Sequence, residues 1–188
     1  MPSAGRDRSD WAVFEAEVLP HADRLFRLAL WLERDRAEAE DLVQETVAQA
    51  LQSFHRFERG TNCRAWLISI MRHLQSKRWR ARGRVRIVNE DEVDLAGTVA
   101  FEAPVPHDIT DDDMLRALEQ LPEAFQEVLL LADVEELSYR EIATALTVPI
   151  GTVMSRLSRA RQMMRQQLTG RVNASRRYPR AVGEHTSE

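Results

Sequence analysis

The sequence predicts an all-α protein made of two small helical domains joined by a flexible acidic linker. Three observations lead there. Apolar residues recur at helical spacing through most of the chain, the periodicity lapses once in a proline- and acid-rich segment, and no stretch alternates as a strand does. At 188 residues with 44% hydrophobic side chains, the chain is long enough to bury a core in each of two compact parts.

The elements follow in order. Residues 19–32 carry Leu25, Leu28, Ala29 and Leu32, and residues 35–54 carry Ala39, Leu42, Val43, Val47, Ala50, Leu51 and Phe54. Both patterns match the i, i+3, i+4, i+7 signature of a helix with one buried face. Gly60 and Asn62 interrupt it in "RFERGTNC", and residues 64–79 resume it through Trp66, Leu67, Ile70, Met71 and Leu74. From about 88 to 113 the pattern disappears among Gly97, Pro104, Pro106 and many acids, a composition that buries too little to offset its ordering entropy. Helical spacing returns over 114–121, 123–135, 139–146 and 149–168. The expected limits are 10–87 for the first domain, 88–112 for the linker, 113–168 for the second domain and 169–188 for a basic disordered tail.

The net charge of −4 conceals a partition. Residues 1–54 sum to −5, 55–88 to +9, 89–136 to −14 and 137–188 to +6. Two basic blocks on either side of an acidic one point to nucleic acid more strongly than the overall balance does. Other classes are disfavoured. The longest apolar runs, such as "VLLLA" at 128–132, fall far short of the roughly 18 residues that span a bilayer, and the charged N-terminus lacks the apolar core of a signal peptide. The chain is therefore expected in the cytoplasm, with no membrane insertion. Five scattered histidines and one cysteine offer no metal-ligand spacing, so neither a metal nor a cofactor is expected. Cys63 reads as a small buried residue at a helix start rather than as a thiol sensor.

The second basic block is the more explicit. In "LSYREIATALTVPIGTVMSRLSRAR", Ser138 and Glu141 have capping-box spacing, a short "TVPI" turn follows, and Pro149 suits the first turn of the next helix. Two helices so joined form a helix-turn-helix. On the second helix Val153, Leu157, Ala160 and Met164 share one face, while Thr152, Ser155, Arg156 and Arg159 share another. The first can pack and the second can read a major groove, arginine to guanine edges and hydroxyls to phosphate.

In the first block, "FHRFERGTNCRAWLISIMRHLQSKRWRARGRVR", cations alternate with aromatics. Phe54, Phe57, Trp66 and Trp79 read equally as core residues and as stacking platforms for unpaired bases. Glu58 is the only acid in the block, so Arg78, Arg80, Arg82, Arg84 and Arg86 are not all paired locally and phosphate contact is expected.

Three stretches, "RAEAEDLVQETVAQAL", "FERGTNCRAWLISIMRH" and "LEQLPEAFQEVLLLADVEELSYREIATALTVPIGTVMSRLSRAR", together resemble the region 2 and region 4 signatures of the extracytoplasmic-function (ECF) sigma factors, group 4 of the sigma-70 family. The likeness covers about 14–168 in the same order. It implies a non-enzymatic transcription initiation factor that recruits core RNA polymerase through its β and β′ subunits to promoter DNA, often in a stress response and under an anti-sigma factor. It also implies site residues. Asp41, Leu42, Gln44 and Glu45 would dock on core polymerase. Phe57, Asn62, Arg72, His73, Lys77, Arg78, Arg80 and Arg82 would melt and read the minus-10 element, and Thr152, Ser155, Arg156 and Arg159 would read the minus-35 element. Two positions depart from the family pattern: His73 stands where asparagine is frequent and Met154 where a basic residue is common, so base preference is expected to shift at both. The competing reading, a stand-alone helix-turn-helix regulator, leaves the first basic block and the acidic helix without a task.

Overall fold

The computed structural model describes the backbone of residues 4–82 and 109–177, and the side chains of 11–82 and 109–169. Most of the expected acidic linker, Arg84 and Arg86, and the last residues of the expected tail lie outside the described residues. Among the described residues every regular element is helical. Contacts divide the chain into two units, Met1–Ile87 with Arg140–Pro149 and Val88–Tyr139 with Ile150–Glu188.

The first unit opens with α1 (Ala4–Val18), a helix absent from the expected elements. Its signal was present but brief: Phe14 and Val18, one turn apart, are 2% and 1% exposed. The polar residues before them hide the pattern. A 3-10 turn, Leu19–His21, takes Pro20 at its start, where a missing N–H costs little, and leads into α2 (Ala22–Glu33). Arg34 closes α2 at φ 56°, its N–H donating to Leu30 O at 2.9 Å. Asp35 then accepts from the Glu38 N–H at 3.0 Å and so caps α3 (Arg36–Ser53). A 3-10 turn, Phe54–Arg56, precedes the loop to α4 (Cys63–Ala81), which Asn62 caps by accepting from the Ala65 N–H at 3.2 Å.

α3 packs on both α2 and α4. The buried faces follow the periodicity in the main, with Leu25, Leu28, Ala29 and Leu32 on α2, Ala39, Leu42 and Ala50 on α3, and Leu67, Met71 and Leu74 on α4. Leu51, expected inside, is 43% exposed, Val43, Val47, Trp66 and Ile70 are half-buried, and Ile68 is buried in addition. An aromatic cluster closes one end. Phe54 meets Phe14 edge-on at 5.2 Å, Phe57 at 5.8 Å and Trp66 at 6.3 Å, while Phe57 and Trp66 lie 5.0 Å apart. Of the two readings left open for these rings, core packing is the one the first unit adopts for Phe57, which is 7% exposed.

In the second unit α5 (Asp111–Glu119) starts two residues earlier than the expected domain limit. Thr110 and Asp113 form a capping box, with the Asp113 N–H donating to Thr110 Oγ1 at 3.2 Å and the Thr110 N–H to Asp113 Oδ2 at 3.3 Å. Asp111, Asp112 and Asp113 therefore occupy a helical first turn, where negative charge offsets the helix dipole, rather than linker. α6 (Glu123–Leu129) continues into a π-helical turn, Leu130–Val134. There the Glu135 N–H reaches Leu130 O at 2.9 Å and the Leu137 N–H reaches Leu131 O at 2.9 Å. The uniform apolar run "VLLLA" carries no sign of that widened turn, because it suits any helical register. Buried Gln126 donates to the Glu119 and Leu121 carbonyls at 3.2 and 2.6 Å, satisfying acceptors that the end of α5 leaves open.

α7 (Tyr139–Leu146) buries Ile142 and Ala145 and ends in a tight turn. Thr147 takes φ 56°, and the Val148 N–H donates to Ala143 O at 3.1 Å, a left-handed helix end that usually selects glycine. Three residues after α7, α8 (Ile150–Arg177) begins and packs on α5 and α6 through Val153, Leu157, Ala160, Met164 and Leu168. It continues through 169–177, which corrects the disordered tail expected from 169. Only Gly170 interrupts helix-compatible residues there, and no proline occurs before Pro179.

Two predictions follow from this packing. Thr147 is β-branched in the left-handed region, a conformation that costs about 1–2 kcal/mol outside glycine, so Thr147→Gly should raise the urea midpoint by the equivalent of about 1 kcal/mol once glycine's unfolded-state entropy is subtracted. A lower midpoint would show the turn to be unstrained. Cys63 is 5% exposed, and burial, with a smaller contribution from Glu17, pushes its thiol up from 9.0 to about 11. The folded chain keeps this proton where the unfolded chain loses it, so stability should fall as pH rises from about 9 to 11. A Cys63→Ala variant should lack that component of the decline, and identical pH profiles for the two chains would refute the assignment.

Candidate nucleic-acid interface

α4 presents the first cationic surface. His73, Lys77 and Arg80 are exposed and follow one another at i, i+4 and i+7, so they form a single stripe along the helix. Arg80 donates from Nε to Ser76 O at 3.2 Å. The loop before α4 is tightly built: Gly60 takes φ 86°, and Thr61 donates to Glu58 O from its hydroxyl at 2.6 Å and its N–H at 3.2 Å. Asn62 is exposed, but its Oδ1 is engaged in capping, which leaves its amide NH₂ to face outward chemistry.

Other members of the expected minus-10 set are placed differently. Phe57 belongs to the aromatic cluster. Arg72 is 7% exposed and donates to Gln75 Oε1, because position 72 falls beside Ile68, Met71 and Gln75 on the inward face of α4. Arg78 and Arg82 are paired, contrary to the argument from local acids. Arg78 Nη2 and Nε stand 2.7 and 2.9 Å from Glu45 Oε2, and Arg82 Nη2 stands 2.7 Å from Glu38 Oε2. The partners lie 33 and 44 residues away in sequence and arrive through the packing of α3 on α4. The Glu38 carboxylate, by hydrogen bond and charge, raises the Arg82 pKa further.

On α3, Asp41, Gln44 and Glu45 are exposed, whereas Leu42 is wholly buried. Leu42 shares the inward face with Ala39, Thr46 and Ala50, so it is a core residue rather than a docking contact. The outward face is acidic, and Asp41 and Glu45 are one turn apart.

α8 carries the second cationic surface. Its inward residues are those expected, with Val153 and Ala160 fully buried and Leu157 1% exposed. Ser155 is exposed, while Thr152, Arg156 and Arg159 are half-buried. The Ser155 hydroxyl donates to Thr152 O at 3.1 Å. Arg161, one turn along from Leu157, pairs with Asp133 on the π-helical turn at 2.6 Å. Sequence reasoning did not single out Ile150, 44% exposed beside Met154 at 53%. Their apolar character against a polar face was the available signal. Gly151, between Ile150 and Thr152, has open space where a Cβ would lie, so the first turn of α8 is unobstructed on that side.

Among the described residues no group of three or more His, Cys, Asp or Glu side chains could hold a metal ion. No described helix is long and apolar enough to cross a membrane.

Residues 18–85 match the family described as Sigma-70 region 2, and residues 111–164 match Sigma-70, region 4. The ECF RNA polymerase sigma factor SigE of Mycolicibacterium smegmatis is 37% identical over 167 residues, which cover 86% of this chain and 64% of SigE. This chain thus spans just under two thirds of that relative. The ECF RNA polymerase sigma factor EcfG of Rhodopseudomonas palustris is 30% identical over 148 residues, 79% of this chain and 81% of EcfG. Among solved structures, the sigma factor RpoE from Bartonella quintana, crystallised with the anti-sigma factor NepR, superposes with a TM-score of 0.62 at 31% identity, over 83% of this chain and 96% of that chain. With the two sigma regions in order on an all-helical chain, and a relative covered over most of its length, the chain belongs to the ECF sigma factors of the sigma-70 family.

Proposed function

We propose that this protein directs core RNA polymerase to a particular set of promoters in the cytoplasm, opens them, and is restrained by an anti-sigma factor. The observation that carries the reading is the placement of unlike surfaces on separate helices of a sigma-type chain. An acidic face lies on α3, a basic stripe on α4, and a mixed hydroxyl and arginine face on α8. Each suits a different partner. The polymerase supplies the chemistry, and this chain contributes binding energy and position.

In this reading residues 10–87 act as region 2 and 111–168 as region 4, with the acidic residues between them as the connection. Asp41, Gln44 and Glu45 meet basic groups of core polymerase. His73, Lys77 and Arg80 follow the phosphates of the minus-10 segment as it melts, beside the loop 58–62 that Gly60 and Thr61 hold in shape. His73, donor or acceptor according to its proton, takes the place where asparagine is frequent in the family. On α8, Arg156 and Arg159 contact base edges of the minus-35 duplex, with Thr152 and Ser155 on the backbone. Met154 offers an apolar contact, suited to a thymine methyl, where a basic residue is common. The anti-sigma partner of RpoE supports a partner of the same kind here.

The test is abortive initiation by purified core polymerase on the promoter upstream of this protein's own gene. Initiation should require the protein, and duplex binding by the protein alone, without effect on polymerase, would favour a stand-alone regulator. Arg159→Ala should weaken promoter recruitment by about 1–3 kcal/mol with core affinity unchanged. Asp41→Lys should do the reverse, lowering core affinity without touching duplex contacts. If both variants fail in the same step, the division of surfaces is wrong.

A further inference from the structure

α3 and α4 meet along a polar edge as well as an apolar face. Glu38 and Glu45 stand two turns apart on α3, and Arg78 and Arg82 one turn apart on α4. Glu45 takes two donors of Arg78 at 2.7 and 2.9 Å. Glu38 takes Arg82 at 2.7 Å and lies 3.8 Å from Arg78 Nη1. The two carboxylates and two guanidiniums sum to zero charge. Glu45 has a second claim on it, because it also belongs to the exposed acidic face with Asp41. A basic surface that docks on that face competes with Arg78 for the same oxygens.

We propose that this ladder is a latch. In the free protein Glu38 and Glu45 hold Arg78 and Arg82 away from nucleic-acid phosphate, and docking of α3 on a basic partner draws the carboxylates off and releases both guanidiniums to DNA. The partner is core polymerase, and to that extent the proposal rests on the function given above. The chemistry is an exchange of ion pairs, with no bond made or broken. Exposure makes the exchange inexpensive: the Glu38, Glu45 and Arg82 side chains are 37%, 44% and 40% exposed, and pairs so solvated are individually weak. Arg78, at 20%, is the more enclosed member and bridges both acids. Such coupling is reciprocal, so phosphate on Arg78 strengthens docking by the factor with which docking strengthens phosphate binding. The pairing also keeps a free sigma factor from spending its cations on non-promoter DNA.

The latch predicts how the free, full-length chain binds a fluorescent oligothymidine strand across a salt series. Glu38→Gln with Glu45→Gln should tighten binding by about fivefold or more at low salt. The log–log salt slope should steepen by about 1 to 1.5, as expected when two more phosphates are neutralised on a single strand. The gain should vanish when Arg78→Gln and Arg82→Gln are also present, which separates release of the arginines from mere loss of negative charge. An equal gain without the arginines overturns the proposal. So does unchanged or weaker binding in the double glutamine variant, which would make the acids supports for the arginines instead. If that variant melts early, Glu45→Gln alone carries the test with about half the change in slope. Abortive initiation keeps the two readings apart. A parent chain that drives initiation but shows no slope change in the variants refutes the latch alone, whereas one that drives no initiation refutes the sigma reading whatever the slopes show.

Discussion

The packing of α3 against α4 is the constraint on which the first unit depends. Ala39 and Ala50 leave α3 narrow where it approaches its neighbours, and Leu67, Ile68 and Met71, all nearly inaccessible, fill the facing side of α4. Once that seam forms, helical geometry fixes the remaining faces. Asp41 and Gln44 must point out from α3, and His73, Lys77 and Arg80 must point out from α4. The acidic and basic surfaces are therefore consequences of a buried apolar seam, and losing a methylene from it would disturb both. The same seam brings Glu38 and Glu45 within reach of Arg78 and Arg82, which no local property of either helix arranges.

The second unit meets a similar requirement differently. α8 is long, and its stripe from Val153 to Leu168 buries against two short helices, α5 and α6. Short helices contribute few internal hydrogen bonds, so their ends matter more. The Thr110–Asp113 box secures one end of α5 and the Gln126 side chain the other, while the π-helical turn after α6 allows both Leu131 and Leu137 to be buried. That arrangement leaves the first turn of α8 open at Gly151, with Ser155 exposed on the turn that follows. A rigid helix with an accessible N-terminal end is what groove recognition needs.

Much of the fold was legible because periodicity reports directly which residues share a face. Helices α2, α3, α4 and α7, and the packed stripe of α8, follow from apolar spacing alone, and the resemblance to ECF sigma factors rested on motifs that the family matches then covered at 18–85 and 111–164. The candidate site was legible only in part. Leu42 sits inside a motif attributed to docking, but its neighbours at helical spacing, Ala39, Thr46 and Ala50, turn it inward. Phe57 and Arg72 likewise belong to the buried side of their segments. α1 escaped notice because its large apolar residues begin only at Trp11, and the extension of α8 because a polar helix resembles a polar tail in composition.

By itself the sequence determined the all-helical class, the boundaries of most elements and the residue types available on each face, since all of these are encoded within a few turns of chain. Only the tertiary structure decided which charges meet. Arg78 and Arg82 have no acid close to them in sequence other than Glu58, and they nevertheless end beside Glu45 and Glu38 because two helices distant along the chain bury their apolar faces together. Ion pairing is set by distance in space, and distance in space is set by the packing of faces that local periodicity can list but cannot match.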